Sequence, residues 1–168
     1  HKLLIISDVA VIPLPDFKQK MVQIGYLART ANLLGIATPK IACIAPSEQL
    51  LPNVISSTEG ALLAKMADRG QLGNVVVDGP LSLDVALYKE VAEHKKVKGS
   101  SVAGDPDCLL FPNLESANVF FKSVTHLCGG ELAAMVMGTK VPCVLTSRGD
   151  TSKTKLFSIA LACLAVKK

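Results

Sequence analysis

Apolar runs alternate along the chain with segments whose apolar residues recur every three to four positions. Runs of the first kind predict β-strands, and segments of the second kind predict amphipathic α-helices. We expect strands at residues 3–6, 40–45, 74–77, 108–111, 133–137 and 142–145. Several of them are apolar at consecutive positions, which is typical of strands covered on both faces. The alternation predicts an α/β fold of three layers, with helices on both faces of a mostly parallel sheet.

Polar residues at fixed spacings mark where the helices begin and end. Asp16 and Gln19 have the spacing of a capping box, and the apolar face that follows predicts a helix ending at Gly35. Ser56 and Glu59 have the same spacing and predict a second helix, which stops at Gly70. Further helices are predicted at 83–94, 114–127 and 152–166, and the Ala, Leu and Ile content of the last one indicates burial. The polar, Gly-rich stretch 95–106 predicts a loop, which is either functional or simply part of the surface.

Composition narrows the class of protein and its compartment. The 168 residues are 49% hydrophobic and 19% charged, enough for one substantial core, and no apolar run is long enough to span a membrane. The net charge is +4, but only 4% of the residues are aromatic and the lysines are scattered along the chain. This pattern does not favour nucleic acid as a binding partner, whereas anionic small molecules are plausible partners. Five cysteines without a C-x-x-C pair indicate reduced thiols in the cytoplasm.

Polar groups follow four of the predicted strands, at the edge of a parallel sheet where ligands bind. These groups are residues 7–8, 78–80, 112–113 and 146–150. Asp, Asn, Gly and Pro are also ordinary turn formers and helix caps, so each group has a purely structural interpretation as well.

The group at 146–150 is the strongest candidate for chemistry, because a predicted buried strand precedes it and a helix follows. Hydroxyls and backbone N–H groups at a helix start can hold an anion, and the guanidinium of Arg148 adds a planar, permanently charged fork. Phosphate or an acyl phosphate would suit this group. Ser147 lacks the G-x-S-x-G surroundings of a serine-hydrolase nucleophile, and its alternative role is to cap the helix.

Other constellations give weaker signals. Asp78 and Asp84 could pair as carboxylates, but Asp84 falls in the first turn of a predicted helix, where it stabilises the helix dipole, and we favour that role. Asn118 and Lys122 lie one turn apart on the helix after Asn113, and they face either a ligand or water. The chain has no G-x-G-x-x-G, no P-loop motif and no metal-ligand spacing, so no metal site is predicted.

Five short strings occur in the same order as the landmarks of the phosphate acetyltransferases and phosphate butyryltransferases, which the chain resembles over nearly its whole length. They are Ser-Asp-Val-Ala-Val at 7–11, Asp-Gly-Pro-Leu at 78–81, Val-Ala-Gly at 102–104, Phe-Pro-Asn-Leu-Glu-Ser-Ala-Asn at 111–118 and Thr-Ser-Arg at 146–148. Residues 65–70 and 146–162 are more similar to the butyryl type. The resemblance implies two α/β domains related to the isocitrate and isopropylmalate dehydrogenases. Residues 1–168 would then be the C-terminal half, namely the second domain and the C-terminal segment, with the N-terminal segment absent.

The resemblance also implies a reaction and its site. The thiol of CoA would attack an acyl phosphate directly, with phosphate leaving, and Ser147 and Arg148 would hold the reacting groups. Members of the acetyl type carry an acidic residue further into the last helix, where this chain has none, so Asp150 becomes the candidate base, with helix N-cap as its competing role. Asp78, Asn113, Asn118 and Lys122 are expected to bind substrate.

The expected partners are a CoA thioester and phosphate or acyl phosphate, in a homo-oligomer, with no cofactor because CoA is a substrate. Two alternatives stay open. One is a non-catalytic binding or regulatory domain, or an inactive fragment, of the same fold. The other is a fatty-acyl phosphate synthase of related fold.

Overall fold

The computed structural model describes residues 2–166, and the chain forms two compact units that divide between Asn118 and Val119. The first unit contains four strands and most of the helices. The elements in chain order are β1 (Ile5–Ser7), α1 (Phe17–Leu33), β2 (Lys40–Ile44), α2 (Ile55–Asp68), β3 (Val76–Leu81), α3 (Leu83–Leu87), α4 (Lys89–His94), β4 (Cys108–Leu110), α5 (Leu114–His126) and α6 (Ser152–Leu164).

The four strands form one parallel sheet in the order β1-β4-β2-β3. Cys108 of β4 stands in register between Ile5 of β1 and Ile41 of β2. The α/β fold with a parallel sheet is therefore confirmed. Because crossovers between parallel strands are right-handed, α1 and α2 lie on one face of the sheet and the α3–α4 pair lies on the other.

The central positions of β2 and β4 in the sheet explain why nearly all of their residues are apolar. All three residues of β4 are buried, as are four consecutive residues of β2. One core cluster joins α1 and α2 to alternate strand residues, including Ile24, Leu63, Ile41 and Cys108. Side chains on both faces of these strands thus have a helix to pack against.

The first predicted capping box is confirmed and the second is wrong. Asp16 accepts a hydrogen bond from the Gln19 backbone, and the Gln19 side chain accepts one from the Asp16 backbone. In contrast, α2 begins one residue before Ser56, and no side chain caps it. Glu59 does not reach back to the helix start, because its carboxylate pairs with Lys20.

The helix predicted at 83–94 is divided in two. Tyr88 has extended backbone angles, so the chain turns there between α3 and α4. The following loop at 95–106 is closely packed. Val102 is fully buried, and the Gly104 N–H donates to the Ala86 carbonyl.

The second unit corrects three predictions. Residues 133–137 and 142–145 do not form strands of the sheet, and their one recorded pairing is an isolated antiparallel bridge between Val136 and Cys143. An apolar run becomes a strand of a sheet only where a neighbour pairs with it along several residues, and the described residues supply only this single bridge here. The last helix, α6, is not buried either, since Leu156 and Ile159 are more than half exposed.

A group of ion pairs holds the amino edge of the sheet. Lys2 lies 2.7 Å from Asp105 and 2.9 Å from Asp107, and Lys40 lies 2.7 Å from the other oxygen of Asp105. Asp107 also accepts the backbone N–H of Lys40, the first residue of β2. These contacts tie the loop before β4 to the starts of its two neighbours. Within residues 2–166, the helices are all too short or too polar to cross a bilayer.

Candidate active site

The turn at residues 147–150 is closed by its own backbone and by Asp150. The Ser147 N–H donates to Oδ2 of Asp150 at 2.7 Å, and the Asp150 N–H donates to the Ser147 carbonyl at 3.1 Å. Ser147 and Arg148 are exposed, whereas Asp150 is half-buried. Among the described residues, the Arg148 guanidinium has no ion pair. The turn therefore presents a hydroxyl and a free guanidinium side by side.

The turn leads directly into α6, but Asp150 and Ser147 do not cap that helix. The N-cap is Thr151, whose side-chain oxygen accepts the Thr154 N–H at 3.1 Å. The alternative capping roles of Ser147 and Asp150 are therefore both excluded. Since Thr151 satisfies the helix end, the carboxylate of Asp150 is available to hold the turn through Oδ2. Its Oδ1 makes no hydrogen bond to any residue that the structure describes.

Ser158 attaches α6 to the segment that precedes the turn. Its side chain is fully buried, its Oγ accepts the Ala134 N–H at 3.0 Å, and it donates to the Thr154 carbonyl at 2.8 Å. Lys153, in the first turn of α6, also pairs with Glu131. Sequence reasoning missed Ser158. The feature that could have indicated its role is a single hydroxyl side chain inside an apolar helical run, between Phe157 and Ile159.

Asn113, which follows β4, and Asn118, on α5, are candidate substrate residues whose side chains both bind backbone. Asn113 Oδ1 accepts the Ser116 N–H at 2.9 Å, so this side chain supports the first turn of α5. Asn118 donates through Nδ2 to the Val9 carbonyl at 2.9 Å. Each side chain keeps one polar atom, Asn113 Nδ2 and Asn118 Oδ1, that bonds to nothing else in the described part of the chain.

Asp78 lies inside β3, whereas the sequence predicted it just after the strand. Its Oδ1 accepts the neighbouring Gly79 N–H at 2.8 Å, and its Cα is paired with Ala42 of β2. The thiol of Cys43, on the neighbouring strand β2, has a raised pKa. Burial raises the pKa of Cys43 to about 12, and the negative charge of Asp78 adds to that effect. Cys43 is consequently a protonated core residue at neutral pH.

Asp84 does not pair with Asp78. It lies in the first turn of α3, 3.0 Å from the Lys95 ammonium. Hydrogen bonds from Ser82 and Lys95 lower the pKa of Asp84 to about 2. The same ammonium lies 3.5 Å from Glu48, after β2. This group holds the end of α4 to the exits of β2 and β3.

Lys122 lies in the second unit, one turn beyond Asn118 on α5. Its ammonium stands 4.7 Å from the centroid of the Phe121 ring, the side chain of its own neighbour. It has no carboxylate partner within residues 2–166. Lys122 is therefore a cation available for a ligand.

A buried ion pair beside the sheet was missed by the sequence reasoning. The Lys20 ammonium lies 2.5 Å from the Glu59 carboxylate, and the Lys20 side chain is only 6% exposed. The pair forms part of the wall of a small cleft at the carboxyl ends of β2 and β4, together with Cys43 and Phe111. The spacing of Lys20 could have predicted its burial, because it lies three residues after Phe17 and four before Ile24, on the predicted apolar face of the helix.

The profile of the phosphate acetyl/butaryl transferase family matches residues 1–163 of the chain. The chain belongs to this family. Among its relatives, a phosphate butyryltransferase of Clostridium acetobutylicum is 44% identical over 97% of the chain and 54% of its own length. A phosphate acetyltransferase of Thermotoga maritima is 41% identical over 95% of the chain and 54% of its own length.

A solved structure agrees with this family assignment. The chain resembles the crystal structure of a branched-chain phosphotransacylase from Enterococcus faecalis with a TM-score of 0.87 and 31% identity, over 95% of the chain and 56% of that protein. The chain spans about half the length of the curated family members that it matches. The α/β fold described above is therefore shared with about half of that phosphotransacylase.

Proposed function

We propose that this chain is part of a phosphate acyltransferase that moves a short acyl group, butyryl or acetyl, between CoA and inorganic phosphate. The observation that carries the proposal is the exposed turn of Ser147 and Arg148, whose guanidinium has no carboxylate partner in the part of the chain that the structure describes. An unpaired guanidinium is suited to a phosphate group, because its fork matches two phosphate oxygens.

In this reaction the thiolate of CoA attacks the carbonyl carbon of an acyl phosphate. The new carbon–sulfur bond forms, the carbon–oxygen bond to phosphate breaks, and phosphate leaves with the electron pair. Arg148 stabilises the negative charge on the phosphoryl oxygens, and the Ser147 hydroxyl donates to the developing oxyanion. A preorganised donor of this kind contributes roughly 100-fold or more to turnover.

Asp150 is our candidate for the base that accepts the thiol proton. One carboxylate oxygen holds the Ser147 N–H, and the other has no hydrogen-bond partner among residues 2–166. A carboxylate can therefore fix the turn and accept a proton at the same time. We assign substrate binding to the unused polar atoms of Asp78, Asn113 and Asn118 and to the ammonium of Lys122.

The proposal includes a compartment and an assembly. All five cysteines are free thiols, as in proteins of the reducing cytoplasm, and we expect a homo-oligomer. CoA enters as a substrate, and no further cofactor is proposed. The relatives named butyryltransferase and acetyltransferase favour a short acyl chain over a fatty-acyl one.

The test measures CoA consumption with butyryl phosphate and with acetyl phosphate in the full-length protein. Arg148→Ala is expected to lower kcat/KM by at least about 100-fold, with the unfolding free energy unchanged within about 0.5 kcal/mol because the side chain is exposed. Lys140→Ala is the matched control, since it also removes an exposed cation without an ion pair among the described residues.

Three outcomes would contradict the proposal. Equal losses of activity and stability in Arg148→Ala would make that residue structural. Turnover only with long-chain acyl substrates would favour the fatty-acyl reaction. Binding of phosphate without any turnover by the full-length protein would favour a non-catalytic domain.

A further inference from the structure

The carboxylate of Asp8 organises the loop that follows β1. Its Oδ1 accepts the N–H groups of Ala10 at 2.9 Å and Val11 at 3.1 Å, and its Oδ2 accepts the Ile12 N–H at 2.8 Å. Hydrogen bonds to an ionised acceptor are roughly twice as strong as neutral ones. One side chain thus fixes the direction of three successive peptide groups.

The same loop is held from its other side by α5. Asn118 donates to the Val9 carbonyl at 2.9 Å, and the Leu114 N–H donates to the Pro13 carbonyl at 3.0 Å. These residues are about a hundred positions away along the chain, so both contacts are tertiary. The protein itself therefore occupies the backbone N–H groups of residues 10–12 and the carbonyls of Val9 and Pro13.

The loop lies at the edge of the sheet where the proposed substrates bind. It follows the carboxyl end of β1, and β4 ends beside it, since the Phe111 N–H donates to the Ser7 carbonyl at 3.2 Å. Ligands of open parallel sheets bind beyond this edge. Asn113 and Asn118, which we assign to substrate binding, belong to the segment that holds the loop.

The loop's outward side chains are apolar. Val11 is 59% exposed and Leu14 is 76% exposed. Because Asp8 takes up the N–H groups of residues 10–12, the loop offers a substrate an exposed hydrocarbon surface and few hydrogen-bond donors. Such a surface suits the acyl chain of a thioester and does not suit phosphate.

We propose that Asp8 is a positioning residue, which fixes the loop at residues 9–14 as a wall that meets the acyl chain of the substrate through Val11 and Leu14. This proposal rests on the proposed acyl transfer and identifies the part of the substrate that the loop recognises. Asp8 itself does not touch the reacting atoms. Its effect reaches the substrate through the loop, so it falls on acyl-CoA binding and not on phosphate binding.

The first experiment replaces Asp8 by Asn and by Ala in the full-length protein. The KM for butyryl-CoA is expected to rise about tenfold, which corresponds to losing one charge-assisted hydrogen bond, while the KM for phosphate stays within about twofold. Hydrogen exchange at the amides of Ala10, Val11 and Ile12 is expected to become faster. Asp68→Asn is the control, because Asp68 forms an exposed ion pair with Lys65 on α2.

The second experiment avoids any loss of folding. Val11→Ala and Leu14→Ala change exposed side chains only, and each is expected to raise the KM for butyryl-CoA about three- to tenfold and that for acetyl-CoA less. Leu50→Ala, at a 69% exposed leucine outside the loop, is the control.

The outcomes separate this proposal from the acyl-transfer proposal. If wild-type turnover is normal but the KM for butyryl-CoA is unchanged in all four variants, the loop is purely structural and only the positioning role is overturned. A rise in the phosphate KM equal to that for butyryl-CoA would also overturn it. If the wild-type full-length protein has no turnover, both proposals fail together.

Discussion

Gly79 of β3 lies directly against Cys43 of β2. A Cβ atom added to Gly79 would stand 2.6 Å from the Cys43 Cβ and 3.2 Å from the Cys43 carbonyl oxygen. Gly60 of α2 approaches from the helix side, where an added Cβ would stand 3.3 Å from the same Cys43 Cβ. Two glycines and a small thiol therefore let α2 pack closely on the β2–β3 pair.

Gly79→Ala is expected to destabilise the fold by about 1–3 kcal/mol, because the new methyl group overlaps backbone and Cβ atoms that cannot move independently. Guanidinium unfolding followed by far-UV circular dichroism measures the change in free energy. Gly25→Ala is the matched control. A Cβ at Gly25, inside α1, meets nothing within 4 Å, so this change should stabilise by about 0.5–1 kcal/mol. Equal effects of both substitutions would contradict the close contact.

The five thiols are expected to react in two groups. Cys43 and Cys108 are buried, and burial raises the pKa of each to about 12, so neither forms thiolate at pH 8. Cys128, Cys143 and Cys163 are exposed. A thiol-specific colorimetric reagent should therefore titrate three thiols in the native protein and five in guanidinium. Mass spectrometry of the labelled peptides identifies them, and native labelling of Cys43 would contradict the burial.

Asp105 is expected to make stability depend on acid pH. Hydrogen bonds from Lys2 and Lys40 lower the pKa of this carboxyl from 3.8 to about 2 in the folded protein. A folded-state pKa below the unfolded one contributes stability that is complete above about pH 4 and is lost as the pH falls through about 2. Asp105→Asn should thus be less stable than wild type at pH 6, with the difference disappearing near pH 2.

The control for this titration is Asp68→Asn, which removes a more exposed ion pair with Lys65. It should change stability little at either pH, as exposed pairs usually do. Added salt should reduce the Asp105 effect because the carboxylate is largely exposed. A difference between Asp105→Asn and wild type that persists unchanged below pH 2 would contradict the assigned cause.

Lys96 is expected to be replaceable by glycine with a gain in stability. It has a φ of 58° at the position after the C-cap of α4, where the Val97 N–H donates to the Ala92 carbonyl. A side chain is strained in this left-handed conformation, and glycine is not. Lys96→Gly should raise the free energy of unfolding by about 0.5–1 kcal/mol in thermal denaturation. Lys98→Gly, at a residue without positive φ, should give no gain.

Hydrophobic patterning predicted the first unit well because its strands have partners. Each of the four predicted strands there pairs with another, and the apolar positions of α1 pack onto them. Patterning failed at 133–145, since the sequence shows that a run can form a strand but not whether a neighbour exists to pair with it. It failed at α6 for a similar reason. Apolar content indicates a preference for burial, and burial also requires a surface to cover the helix.

The polar predictions failed where a side chain had two possible partners. Glu59 has the spacing of a capping box, yet it pairs with Lys20, which lies 39 positions away in the sequence. Asp150 precedes a helix, yet Thr151 caps that helix and Asp150 holds the turn. Short motifs describe local options, and the tertiary structure chooses among them. The exposure of Ser147 and Arg148 agrees with what the sequence suggested, while their catalytic roles remain a prediction.

The loop organised by Asp8 follows β1, a three-residue strand at the edge of the sheet that pairs only with β4 among the described strands. Edge strands with few hydrogen bonds open more readily than central ones such as β2 and β4, which are buried on both faces. Brief detachment of β1 would therefore move the loop at residues 9–14 while the rest of the core keeps its structure. If the loop meets the acyl chain as proposed, the thioester could enter by local opening of β1, which requires only a small fraction of the free energy needed to unfold the domain.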